Sequence, residues 1–485
     1  MPAATSPLQR WWPAFIVVLA VCLAYANALQ AAFQFDDWET IVRDPRVQSV
    51  RAWWNAMPGM RPLLKLSYAL NHASGLGVVG LHAVNVLVHA GNGLLILFLV
   101  RRFAAQLGEA PSTAGTLALA TALIFVLHPV QTEAVTYASG RSTSLGALFA
   151  LGSVATWVQA RAAPVGQPGR AAMLFLISPV LMLLGLATRE TVAVVPLVLL
   201  LWEAADVSRL VRWRAAIAGT GVHWAVLGCG LTAALNLPAY RDFLATSLAT
   251  RSVMENLVAQ LQGVVYLAGQ LLNIDRMNAD PALPVDLDPG LSGAVTLIAL
   301  VVVCGLAINN LRRYPLPAFG VLWFFLWLAP TNSLLARPDL VNDRQLYVAL
   351  AGPALLLAAL ILRLATRQRA LAVVAFVAVL GLTGLATYLR NEVYRDEVTF
   401  WRDVAGRSPH NPRAFSNLGV ALADQCDLPR AEQAWQRALK LDPGYTRAAV
   451  NLRLLREGLL PEGVGPCPGK GDMPDFRSGN QARPD

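Results

Sequence analysis

Long apolar runs alternate with short polar stretches along most of this chain. A helix needs about 20 mostly apolar residues to cross a bilayer. Runs of that kind centre near residues 21, 90, 121, 152, 179, 197, 225, 300, 322, 355 and 379. The segment VMENLVAQLQGVVYLAGQLLN at 253–273 is ambiguous. Glu255, Asn256, Gln260, Gln262, Gln270 and Asn273 make it too polar for a lipid-facing helix.

Basic clusters decide the sides, because short cytoplasmic loops carry an excess of Lys and Arg. The clusters fall at 101–102, 161–170, 209–214, 312–313 and 363–369. All of them share the cytoplasmic side with the N-terminus only if 253–273 does not cross. That reading gives about 11 spans, an exported C-terminus, and an interfacial or re-entrant helix at 253–273. Arg10 followed by WWPAFIVVLAVCLAYANA is similar to a signal peptide, with Ala26 and Ala28 as a cleavage pattern. The many apolar runs that follow favour its retention as a first span.

Composition agrees. Of 485 residues, 55% are hydrophobic and 14% charged, against about 25% charged in soluble domains. The net charge of +9 would suggest nucleic acid in a soluble chain. Here it sits in loops that set orientation, so no nucleic-acid partner is expected. The cysteines at 22, 229, 304, 426 and 467 lack metal-ligand spacing and read as packing residues. Cys426 and Cys467 could pair in an oxidising compartment, although nothing in their spacing argues for it.

After the last run, the pattern changes to amphipathic helices. Trp401 and Trp435 are 34 residues apart, as are Pro409 and Pro443, which is the tetratricopeptide (TPR) period. Phe415, Leu418, Gly419, Ala431, Trp435, Ala438 and Pro443 fall on its consensus positions. About two repeats are too few to stand alone, so the module must dock on the membrane domain or on another protein. The expected organisation is a membrane domain over 1–390 with an exported first loop at 31–80, repeats over 391–460, and a disordered tail over 461–485.

With this topology five polar loops land on the exported face: FQFDDWET, HPVQTEAVTYASGRS, ATRET, NIDRMNADP and ARPDLVNDRQLY. Glu133, Arg141, Arg189 and Glu190 lie at or near membrane depth, where ionisable groups are costly and usually functional. His82, Asn85 and His89 share one helical face. An interhelical hydrogen-bond stripe explains them better than a metal site. His128, before Pro129, reads as a cap at a span end.

These motifs, in this order, resemble the GT-C glycosyltransferases, specifically the transmembrane and TPR-containing O-mannosyltransferases and their bacterial relatives. The residues that carry the resemblance are Phe35-Asp36-Asp37, RPLLKLSYALN (61–71), GLHAVNVLVHAGN (80–92), LHPVQTEAVTYASGRS, LLGLATRE, LLNIDRMNADP and PTNSLLARPDLVNDRQLY. The resemblance implies an all-α, polytopic GT-C fold and inverting transfer of a hexose from a polyprenyl- or dolichyl-phosphate at the exported face. It makes Asp36 the general base, with Asp37 as its neighbour. The acceptor hydroxyl must lose its proton as it attacks. The lipid phosphate needs fixed positive charge, for which arginine's planar fork is suited.

The substrate-binding set so implied is Arg61, Lys65, His128, Glu133, Arg141, Arg189, Glu190, Asp275, Asp280, Asp343 and Arg344. Arg276 and Arg337 are further candidate cations. One departure stands out. The family pattern Gly-Arg-x-Asp-Leu is Gly140-Arg141-Ser142-Thr143-Ser144 here, so the acid is lost. The sequence leaves a divalent cation at the aspartate pair open. Expected partners are the lipid-linked sugar donor and an acceptor protein or glycan at the repeats. The expected location is a bacterial inner membrane, with the site and repeats periplasmic. The rival readings are an enzyme acting on lipopolysaccharide or another envelope glycan, and a non-catalytic scaffold for envelope assembly.

Overall fold

The computed structural model describes residues 7–206, 213–288, 290–332 and 334–459. The expected tail at 461–485, Arg209 and Arg212 of one basic loop, and Cys467 lie outside the described residues. Cys22, Cys229 and Cys304 are free thiols; Cys426 is disulfide-bonded.

Among the described residues every regular element is a helix. Four helices are long and apolar enough to cross a membrane: Gly77–Gln106, Ala138–Ala162, Gly290–Asn310 and Arg369–Glu392. Two bent pairs raise the number to six: Pro111–Leu127 with Pro129–Val135, bent by 56°, and Gly221–Asn236 with Pro238–Thr250, bent by 86°. Trp11–Ala24, Arg170–Leu186, Pro315–Leu328 and Ala351–Ala365 are shorter apolar helices. The described residues are those of an all-helical membrane protein. The gap between this number and the expected one has a physical cause. Pro315–Leu328 and Ala351–Ala365, with 14 and 15 residues, rise only about 21–23 Å. The run near residue 197 is interrupted, because the tight turn Glu190–Val194 precedes Val195–Ala204. Val253–Gln270 is not among the apolar candidates. It starts on a Ser252–Glu255 capping box and buries Asn256, Gln260 and Gln270.

Polar residues inside the bundle need internal partners, because lipid offers none. The stripe on Gly77–Gln106 finds them on neighbouring segments. His89 donates from Nε2 to Val126 O at 3.1 Å, and its Nδ1 meets Tyr347 Oη at 2.8 Å. Asn92 donates to Ser144 O and Tyr347 Oη. His82 contacts Ala31 O at 3.0 Å, and Asn85 donates to Val135 O at 3.1 Å. These contacts are interhelical glue.

Pro129 lacks an amide N–H and breaks the apolar helix before it. His128 fills the gap: its Nδ1 accepts from Val130 N at 3.2 Å, and its Nε2 reaches Leu271 O at 3.2 Å. The turned segment buries Glu133. Gly140 is needed for this turn, since a Cβ there would sit 2.3 Å from Glu133 O.

The C-terminal helices are Glu397–Arg407, Pro412–Asp424, Leu428–Leu441 and Thr446–Arg456. Asp396, Asn411 and Asp427 cap the first three through their side chains. Trp435 is fully buried and donates to Ser416 O at 3.0 Å. Their apolar core also contains Ala31, Tyr137 and Tyr394. The hairpins therefore dock on the membrane domain at the start of the first loop.

Candidate active site

The Phe-Asp-Asp segment lies at that docking seam. Ala32 N donates to Tyr394 O at 3.0 Å, and Gln34 Nε2 reaches the same carbonyl at 3.2 Å. Asp37 is fully buried. Its carboxylate accepts the amides of Gln34, at 2.9 Å, and of Ser139, at 2.7 Å. Burial pushes its carboxyl up to about 7 against the pull of those bonds, and Asp36 adds to the rise.

Asp36 is placed differently. Its backbone amide donates to Tyr137 Oη at 2.9 Å. Its half-buried carboxylate makes no hydrogen bond or ion pair to another described residue. Burial raises its pKa, opposed by Arg344, Arg413 and Arg337 and aided by Asp339. Phe35 holds a left-handed backbone, φ +42°, which costs a bulky residue about 1–3 kcal/mol. Its ring packs edge-on against Trp401, 5.5 Å away.

Cations gather beside this carboxylate. Arg344 lies over the Tyr137 ring at 5.8 Å. Its amide donates to Glu133 Oε2 at 3.0 Å, and its Nε lies 3.4 Å from Glu133 Oε1. Its buried Nε has no hydrogen-bond partner. Arg189 donates to Ser142 Oγ at 2.8 Å and Thr143 Oγ1 at 2.6 Å. Arg189 and Arg344 line one cavity with Thr143, Thr191, Thr331 and Trp327. Burial lowers the Arg189 pKa well below its usual value, and Arg61, Arg337 and Arg344 lower it further. Arg337 is pushed down to about 10, first by burial and then by Arg344 and Arg61. Arg61, also at positive φ (+50°), makes a forked pair with Glu190 at 2.8–3.2 Å. Burial alone would raise the Glu190 carboxyl; Arg61 brings it down to about 2. Tyr240 also donates to Glu190 at 3.0 Å.

The remaining expected residues meet protein groups. Arg141 donates to Asn85, Ser67, Asn71 and Leu81 O. It ties three segments together and has little left for a ligand. Lys65 pairs with Asp44 at 3.4 Å. Asp280 accepts from Arg413, and Asp343 accepts from Asn278 N at 3.2 Å. Asp275 is exposed, 4.0 Å from Arg276. His128 is the cap described above. No group of three or more His, Cys, Asp or Glu side chains that could hold a metal occurs among the described residues.

Comparison with curated proteins gives relatives over most of this chain. Protein O-mannosyl-transferase TMTC4 of Mus musculus is 25% identical over 87% of this chain and 65% of its own length. Protein O-mannosyl-transferase F38B6.6 of Caenorhabditis elegans is 24% identical over 89% of this chain and 63% of its own. The chain is similar to protein O-mannosyl-transferases. Protein O-mannosyl-transferase TMTC1 of Mus musculus matches a shorter stretch, 32% identical over 27% of this chain and 15% of its own length. The chain thus spans just under two thirds of the first two relatives. No family model and no solved structure matches it.

Thr143 stands where the resemblance leads one to expect an acid. Its hydroxyl, with that of Ser142, faces Arg189, so this cation has a neutral cradle. Three nearby residues were not in the expected set: Tyr137, Tyr240 and Arg413. Tyr137 sits inside the quoted motif LHPVQTEAVTYASGRS, where a tyrosine reads as packing. Arg413 opens the C-terminal helix Pro412–Asp424, and no spacing in the sequence links it to Asp36.

Proposed function

We propose that this chain is a membrane glycosyltransferase that moves a hexose, mannose by the names of its relatives, from a polyprenyl-phosphate carrier to a protein Ser or Thr hydroxyl. The carrying observation is the contrast at the acid pair. Asp37 is bound by two backbone amides, while the Asp36 carboxylate is open beside Arg344, Arg413 and Arg337, and Arg344 shares a cavity with Arg189. A general base must be free to take a proton, and a departing phosphate needs fixed cations.

In this reading the acceptor oxygen attacks the anomeric carbon from the side opposite the phosphate. Its proton passes to Asp36. The bond from the anomeric carbon to phosphate oxygen breaks with its electron pair on the phosphate, and the configuration inverts. The leaving polyprenyl phosphate gains negative charge. Arg344 and Arg189, whose donors are only partly used, stabilise that charge. Arg337 supports them.

The C-terminal hairpins serve as a TPR module whose groove receives an extended acceptor polypeptide. About eleven segments cross or enter the membrane, and Val253–Gln270 lies on the exported side. The short, Arg-containing loops suit a bacterial inner membrane with a periplasmic site.

The test uses the full chain in detergent or nanodiscs with a polyprenyl-phosphate mannose donor and Ser/Thr peptides. Asp36→Asn should insert normally and lose about 10²–10⁴-fold in transfer. Undiminished transfer, or transfer to glycolipid alone, would overturn the reading.

A further inference from the structure

The helix Pro412–Asp424 carries an arginine in its first turn, where the helix dipole disfavours a cation. Acids compensate for it. Arg413 donates to both oxygens of Asp280, at 2.8 and 2.5 Å, and to Asp339 at 2.7 Å. Asn411 donates to the same Asp280 carboxylate at 2.9 Å. The Arg413 guanidinium also stands 5.7 Å from the centre of the Phe35 ring, the residue before Asp36. One side chain therefore joins the C-terminal hairpins, two loops of the membrane domain and the strained backbone beside the proposed base.

We propose that Arg413 is a positioning residue for Asp36. It clamps Phe35 from the module side, and it neutralises the acids at the seam so that the open carboxylate stays usable. This inference rests on the proposed function only where it calls Asp36 the base.

The charged and titratable groups facing Asp36 come from three sides. Arg337, Asp339 and Arg344 lie on the 337–344 segment, Arg413 on the C-terminal hairpins, and Asp37 and Tyr137 on the membrane side. Arg413 favours the charged form of Asp36 and Asp339 opposes it. Losing Arg413 removes one cation and leaves Asp339 and Asp280 without their guanidinium. Both changes work against ionisation of Asp36.

The experiment measures two things in the full chain: carbodiimide labelling of Asp36 against pH, by peptide mass spectrometry, and kcat/KM for mannose transfer against pH. Arg413→Gln should move the labelling midpoint and the acidic limb of transfer to higher pH. Arg413→Lys should move them less, and Arg413→Gln with Asp339→Asn should move them back. A merely structural role would lower kcat at every pH and leave both midpoints in place, which would overturn the proposal. Shifted labelling without transfer in the parent protein would support Arg413's role and sink the proposed activity instead.

Discussion

Asp37 accepts the Ser139 amide at 2.7 Å, bridging 102 residues of chain and fixing the first loop to the turn after Glu133. That bond gives the second aspartate a structural task. Above about pH 7, where the Asp37 carboxyl is charged, Asp37→Asn would place an amide donor against one of the two backbone N–H groups and lose charge-assisted bonds. The expected cost is about 1–3 kcal/mol, read as a lower unfolding temperature in detergent. Asp36→Asn should leave that temperature nearly unchanged.

The same residue predicts a pH effect of unusual sign. Its folded carboxyl stands at about 7, above the ordinary aspartate value of about 3.9. Between those values the folded state holds a proton that the unfolded state has released. Stability must therefore fall as pH rises through that window and level off above it. The unfolding temperature measured from about pH 4 to 8 should show this decline in the parent protein, and the component should vanish in Asp37→Asn. A decline of equal size in the variant would assign it to other groups.

Arg344 and Glu133 form a pair with side-chain exposures of 15% and 6%, and removing one partner from such a pair is worse than removing both. Arg344→Met leaves a buried carboxylate and should cost about 3–5 kcal/mol. Adding Glu133→Gln should recover much of that stability without restoring transfer, because the cation beside Asp36 stays absent. Chemical unfolding and the mannose assay, run on both variants, separate the two roles. Recovery of transfer in the double variant would remove Arg344 from the site.

Much of this arrangement was legible in the sequence. Apolar runs gave the helices, and the 34-residue spacing of Trp401 and Trp435 marked the C-terminal hairpins. The motif order points to the protein O-mannosyl-transferases that the chain is similar to. Span lengths were less legible, because Val195–Ala204 is apolar in sequence but cut short by the preceding tight turn. Arg141 shows the limit for site residues. A buried arginine in a motif looks the same in sequence whether it binds phosphate or ties helices, and only its four protein partners reveal the second. Arg413 is the converse case, since its link to Asp36 runs through Phe35 and Asp339, distant in sequence.

The side occupied by Val253–Gln270 is open to direct measurement. The proposed topology keeps this helix from crossing, and its buried Asn256 and Gln260 face protein instead of lipid. Gln260 accepts from Asn332 at 2.8 Å and donates to Leu340 O at 3.4 Å. Single cysteines at Thr250 and Asp275, in a background without the free thiols Cys22, Cys229 and Cys304, should label with an impermeant maleimide from the same exported side. Labelling from opposite sides would place the helix across the membrane and reverse the orientation of one half of the chain.

Gly419 offers a test of the hairpins themselves. A Cβ at that position would stand 2.4 Å from Trp435 Nε1, an indole that is fully buried and already bonded to Ser416 O. The indole is a rigid plane and cannot move aside without losing that bond. Gly419→Ala should therefore cost about 1–3 kcal/mol through overpacking and loosen the helix Pro412–Asp424. Because that helix carries Arg413, loosening it should also free Phe35, so proteolysis of the C-terminal helices and loss of transfer should appear together. Faster proteolysis with unchanged transfer would show that the proposed base keeps its place without the hairpins.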